Sequence, residues 1–210
     1  MASSERRRQK KLERHRVKRA EAKKQAARRR APVAASLGAL VRAGAAAPFG
    51  PCWVSSNLHE NRSPVPSLVT AVVTRRLPDG RLLSHVALVD RTCLGVKNAF
   101  VMAPTNDAET EQRVQSIAEQ GDALERCEPL VAQSVVYQAL DYARSLGFEP
   151  QRDFQASLFG PRPPELLDTP LARPERPYYV AGPDDDATRV LRQLEAVGGP
   201  NSFEYVVVEE

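Results

Sequence analysis

"SLVTAVVTRRLPDGRLLSHVALVD", residues 67–90, decides the fold class. Its first part is rich in β-branched residues and stops at Leu77-Pro78-Asp79-Gly80, where proline presets φ and glycine accepts positive φ. An apolar run then returns. The pattern predicts a β-hairpin pairing about 67–76 with 81–90.

Helical signals follow the hairpin. Asn106 with Glu109 forms a capping pair for a helix over 107–120. Pro129 suits a first helical position and Gly147 a C-terminal stop. Between them Val131, Val135, Ala139, Tyr142 and Leu146 form one apolar stripe, so this helix should lie against the sheet. Residues 160–177 hold six prolines and read as an irregular crossing. "RPYYVAG" then reads as a strand, "DDDATRVLRQLEAVGG" as a capped helix and "SFEYVVVEE" as a strand, with 178–181 and 203–208 in one sheet. The expected class is α+β: a hairpin, a helical middle and a C-terminal β-α-β unit, forming a small sheet packed by helices.

Ahead of the hairpin the composition changes twice. Residues 1–30 carry 14 Lys or Arg against three acids, a net of +11, while the remaining 180 residues carry 16 basic and 23 acidic side chains, a net of −7. The sequence pI of about 9.1 therefore describes the tail rather than the body. Leu12 and Val17 are the only large aliphatics in the tail, so no helical face there could be buried in a core. Residues 1–30 are expected to be a disordered or conditionally helical tail. Residues 31–50 read as an Ala-rich short helix and linker, and residues 51–210 as a compact α+β domain.

Lysines and arginines at this density displace counterions from a phosphate backbone, giving salt-sensitive, sequence-independent binding. No aromatic residue occurs before Phe49, so stacking on bases is not offered. The expectation is contact with structured RNA or a ribonucleoprotein such as the ribosome. Arg6, Arg7, Arg8, Lys10, Lys11, Arg14, Arg16, Lys18, Arg19, Lys23, Lys24, Arg28, Arg29 and Arg30 would meet the phosphates. The acidic body would face away or contact a basic protein on the same particle.

Candidates for chemistry are few. "DRTCLGVKNAF", residues 90–100, brings Asp90, Cys93 and Lys97 into eight positions, and a nearby Lys97 could favour a thiolate. Against this, a nucleophilic Cys needs a base, and His85 lies inside the second hairpin strand. Gly95 permits a bend, while Leu94, Val96 and Phe100 read as core plugs. Asp184, Asp185 and Asp186 could bind a divalent cation, as a metal-assisted nuclease would require, but they stand where a helix begins and read better as caps. His59 with Glu60 lacks a third group to orient the imidazole. Trp53 reads as a core anchor, and Tyr178 and Tyr179 as alternating between core and surface. The three cysteines and three histidines show no metal-ligand spacing, and no cofactor motif occurs. Reduced thiols, the lack of an apolar leader and the absence of any long apolar run point to a cytoplasmic protein without membrane insertion. Abundant Ala, Arg and Pro suggest a bacterial source. The balance points to a non-enzymatic RNA-associated protein, with a thiol-dependent hydrolase or transferase centred on Cys93 as the alternative.

Through "LVDRTCLGVKNAFV", "VVYQALDYARSLGFEPQRDF" and "YYVAGPDDD", the chain resembles a family of uncharacterised bacterial proteins. That family has a basic N-terminus and a D-x-x-C-L-G-V-K-[DN]-A-F signature. The resemblance implies that residues 50–210 form one evolutionary unit. It carries no catalytic roles onto Asp90, Cys93 or Lys97, and Asn98 stands where the family commonly has Asp.

Overall fold

The computed structural model describes residues 36–59, 68–168, 174–182 and 185–206. The chain divides into two units after Ala39. The second holds an antiparallel five-stranded sheet, a two-stranded sheet and the helices that pack on them, an α+β architecture. The basic tail and the residues that would meet phosphates, Arg6 to Arg30, lie outside the described residues, as do Glu60, Asp184 and the side chain of His59.

The hairpin forms in the expected segment, its pairing one residue offset from the expected bounds. Strand β2 (Leu68–Arg76) pairs with β3 (Leu82–Asp90), Leu68 opposite Asp90 and Arg76 opposite Leu82. Gly80 takes φ +85° in the turn, and its amide donates to the Leu77 carbonyl at 2.9 Å. Strand β1 (Cys52–Ser55) adds to the other side of β2, and β4 (Gly95–Thr105) to the other side of β3. With β5 (Leu124–Cys127) beyond β1, the strand order is β4-β3-β2-β1-β5. The segment after Cys93 is thus a strand of the main sheet, where the sequence suggested only a bend at Gly95.

Both faces of this sheet are covered. Val69, Ala71 and Val73 of β2 pack with Val135, Val136 and Ala139 of the long helix Pro129–Ser145 in the largest core. Val72 and Val86 point the other way and meet Trp53 and Val114, the latter on helix Asp107–Ala118. Burial on two faces explains why β2 reads as a near-continuous apolar run rather than an alternation. Asn106 caps helix Asp107–Ala118 as expected, its side chain accepting from the Glu109 amide at 2.9 Å.

In chain order the helices are α1 (Leu37–Ala46), α2 (Asp107–Ala118), α3 (Pro129–Ser145), α4 (Ala156–Phe159) and α5 (Ala187–Gly198). The Ala-rich helix α1 is more than a linker. Its Val41 packs with Leu77, Leu83 and Leu158. A β-carbon at Gly44 would meet Leu83 Cδ2 at 2.6 Å, so the missing side chain lets the helix approach the sheet. The guanidinium of Arg75 ties this corner together. It donates to the Leu158 carbonyl at 2.8 Å and the Ala47 carbonyl at 3.0 Å, and lies 3.5 Å from the centre of the Phe49 ring.

The C-terminal β-α-β unit forms a separate two-stranded sheet. Strand β6 (Tyr178–Val180) runs parallel to β7 (Glu204–Val206), with α5 as the crossover. A second core of Cys93, Ala143, Phe148, Tyr179, Val190 and Leu194 joins this unit to α3 and to the loop after β3. Among the described residues, no helix is long and apolar enough to cross a membrane.

Candidate functional site

Asp90 ends β3 and organises the loop that follows. Its Oδ1 accepts from the Thr92 amide at 2.9 Å and the Cys93 amide at 3.0 Å, and its Oδ2 accepts from the Leu94 amide at 3.1 Å. The Thr92 hydroxyl lies 2.9 Å from that same Oδ1 and 2.8 Å from the Tyr178 carbonyl oxygen, and its single proton serves one of them at a time. Burial drives the Asp90 carboxyl above its ordinary pKa, while the Leu94 and Thr92 donors pull it back. The carboxylate therefore acts as a turn former, replacing backbone acceptors that the bend takes away.

Cys93 is fully buried inside the second core. Burial pushes its thiol well above the ordinary range, and the nearby Asp90 charge adds to the effect. A reactive thiolate needs the opposite environment, electropositive and partly exposed. Among the described side chains no imidazole is at hand in the form that catalysis requires. His85 is buried with both ring nitrogens engaged: Nδ1 lies 3.0 Å from the Phe100 carbonyl oxygen and Nε2 accepts from the Gln155 amide at 3.0 Å. Those partners define a neutral ring protonated on Nδ1, and burial lowers its pKa to about 4.

Lys97 reaches towards the C-terminal unit, and its charge offsets only part of the upward push on the Cys93 thiol. Its Nζ lies 2.7 Å from Asp185 Oδ2 and donates to the Val180 carbonyl at 3.0 Å. The same Asp185 oxygen accepts from the Gly182 amide at 2.8 Å and the Tyr179 hydroxyl at 3.3 Å. A β-carbon at Gly182 would sit 3.0 Å from the ammonium, so a glycine there makes room for the lysine. The acidic turn thus divides its labour. Asp186 caps α5 by accepting from the Arg189 amide at 3.0 Å, as the capping reading expected, whereas Asp185 neutralises Lys97.

Asp90, Cys93 and Lys97 are neighbours in sequence that serve three different partners: backbone amides, an apolar core and a distant carboxylate. Sequence reasoning missed Asp185 as the partner of Lys97 because the two are far apart along the chain. Trp53 is a core residue, 2% exposed, with the Arg126 guanidinium 5.6 Å from its ring centre. Tyr179 is buried and Tyr178 half-buried, the alternation expected of that strand.

Beside the Lys97–Asp185 pair opens a cleft of about 540 Å³. It is bounded by the start of β4, the segment Gly147–Arg152 that leaves α3, and the first turns of α5. Among the described residues no three His, Cys, Asp or Glu side chains gather as a metal site would require.

Comparison with protein-family models, curated proteins and solved structures found no match for this chain.

Proposed function

We propose that this is a non-enzymatic, RNA-associated protein of the bacterial cytoplasm, tethered to structured RNA or a ribonucleoprotein through residues 5–30. The observation that carries the reading is the division of charge, +11 in residues 1–30 against −7 in the rest. So large a basic excess, without an aromatic residue beside it, suits phosphate contact and shape recognition rather than base readout. The signature family to which residues 50–210 bear a resemblance belongs to the same proposal, its basic N-terminus matching this tail. An acidic body on a basic tether faces away from RNA or meets a basic protein on the same particle. The three cysteines are unpaired, as a reducing compartment would keep them. Burial of the Cys93 thiol takes support away from the alternative, a hydrolase or transferase built on that residue.

The test is filter binding to structured RNA across a salt series. Full-length protein should bind with log K falling by about 0.7–0.9 per phosphate neutralised for each decade of salt. A chain beginning at Pro32 should lose most of that affinity and flatten the slope. Equal binding by the shortened chain would overturn the tether.

A further inference from the structure

We infer that the cleft between β4, the α3 exit and α5 is a binding site for a small organic anion, one bearing a carboxylate or phosphate head on an apolar body. This inference is independent of the RNA tether. At about 540 Å³ the space is of the size that holds small ligands. Its floor is apolar, with Val96 at 1%, Val190 at 5% and Phe148 at 7% exposure.

The charges around it are unequally committed. Lys97 and Asp185 neutralise one another, and Asp186 is engaged as the cap of α5. Arg152 and Arg189 line the same cleft from two different elements, exposed, with no side-chain partner for either guanidinium among the described residues. Glu149, also exposed, is the remaining uncommitted acid among the described residues that line it. Two unengaged guanidinium forks over an apolar floor suit a planar or tetrahedral oxyanion, which they can hold bidentately.

The walls are already held in place. The Gln151 amide donates to the Val96 carbonyl at 2.9 Å, fastening the α3 exit to β4. Gln193 of α5 donates to the Leu146 carbonyl at 3.1 Å, passing over Gly147, where a β-carbon would lie 2.2 Å from its amide nitrogen. A ligand entering such a preformed cleft loses little affinity to ordering the protein.

The test uses isotope-labelled full-length protein titrated with phenyl phosphate, with benzoate and with uncharged benzyl alcohol, followed by amide chemical shifts. Expected is a saturable shift at Val96, Phe148 and Gln193 with at least one of the two anions, telling phosphate from carboxylate, and none with the alcohol. The double variant R152A/R189A, both positions on the surface, should keep its melting temperature and bind that anion at least about tenfold more weakly. Four results would overturn the site. They are no saturable shift at these amides up to about 10 mM of either anion, shifts confined to residues 1–30, equal binding of the alcohol, or undiminished binding by the double variant.

Discussion

His85 stands in the middle of β3, where a titratable group is out of place unless its ring nitrogens are satisfied. They are, by Phe100 and Gln155, and Phe154 and Phe159 pack around the ring at centroid distances of 5.5 and 5.4 Å. The folded pKa of about 4 lies below the unfolded value of 6.5, so the unfolded chain takes up the proton first. Stability from this residue is complete above pH 6.5 and is lost as the pH falls towards 4, by about 3 kcal/mol over the whole window. Urea unfolding at a series of pH values should therefore show a shallower decline between pH 6.5 and 4 for His85→Gln than for the parent chain. Parallel curves would mean that the imidazole is solvated in the fold. Asp90 and Cys93 teach the same lesson at this scale, since both look reactive in sequence and both are consumed by packing and backbone hydrogen bonds.

Among the elements, β4 was the hardest to foresee. It begins at a glycine, contains Pro104 and exposes Phe100, so neither a clean alternation nor a buried run marks it. As an edge strand of the sheet it needs only one paired side, and its neighbours supply what its own pattern lacks. Gly95 is what makes its entry workable. It holds φ +72°, and a β-carbon there would meet Ala143 Cβ at 2.8 Å and the Ala139 carbonyl oxygen at 3.2 Å on α3. Gly80 has a similar φ of +85° but nothing within 4 Å. Replacing each by alanine separates strain from collision. Gly80→Ala should cost about 1 kcal/mol, the left-handed backbone alone. Gly95→Ala should cost about 3 kcal/mol, because α3 must also give way. Chemical denaturation midpoints check the contrast, and equal costs would show that α3 shifts freely.

At the scale of the whole fold, two of the apolar cores meet at a seam where Val96 belongs to one and Cys93 to the other. The main sheet and α3 enclose one, and Cys93, Phe148, Tyr179 and Val190 belong to the other. The Lys97–Asp185 pair spans that seam, with both side chains only 14% exposed. A partly buried pair of this kind is costly to break from one side, since the survivor is left desolvated. Lys97→Met and Asp185→Asn should each destabilise the fold, and the double variant should lose less than their sum, a coupling of about 1–2 kcal/mol. A coupling near zero in the double-mutant cycle would make the pair a screened surface contact. The charge division belongs to this scale too, because the proposed RNA tether rests on the net charge of a segment rather than on any one arginine.

Residue type and spacing were enough for the local elements. The β2–β3 hairpin followed from its turn residues, the start of α2 from Asn106, the buried face of α3 from its stripe, and the α5 cap from an acid at the head of a helix. Each of these depends on interactions within a few residues, so spacing and side-chain type suffice. Long-range packing settled that Cys52–Ser55 and Gly95–Thr105 complete the sheet, that α1 packs on it, and that Lys97 pairs with Asp185. Those are contacts between distant segments, chosen by which surfaces remain to be covered once the local elements exist. "DRTCLGVKNAF" shows the division most plainly. Its three reactive side chains are adjacent in the chain, yet the fold sends each to a different partner and leaves the cleft beside them to arginines that no motif marked.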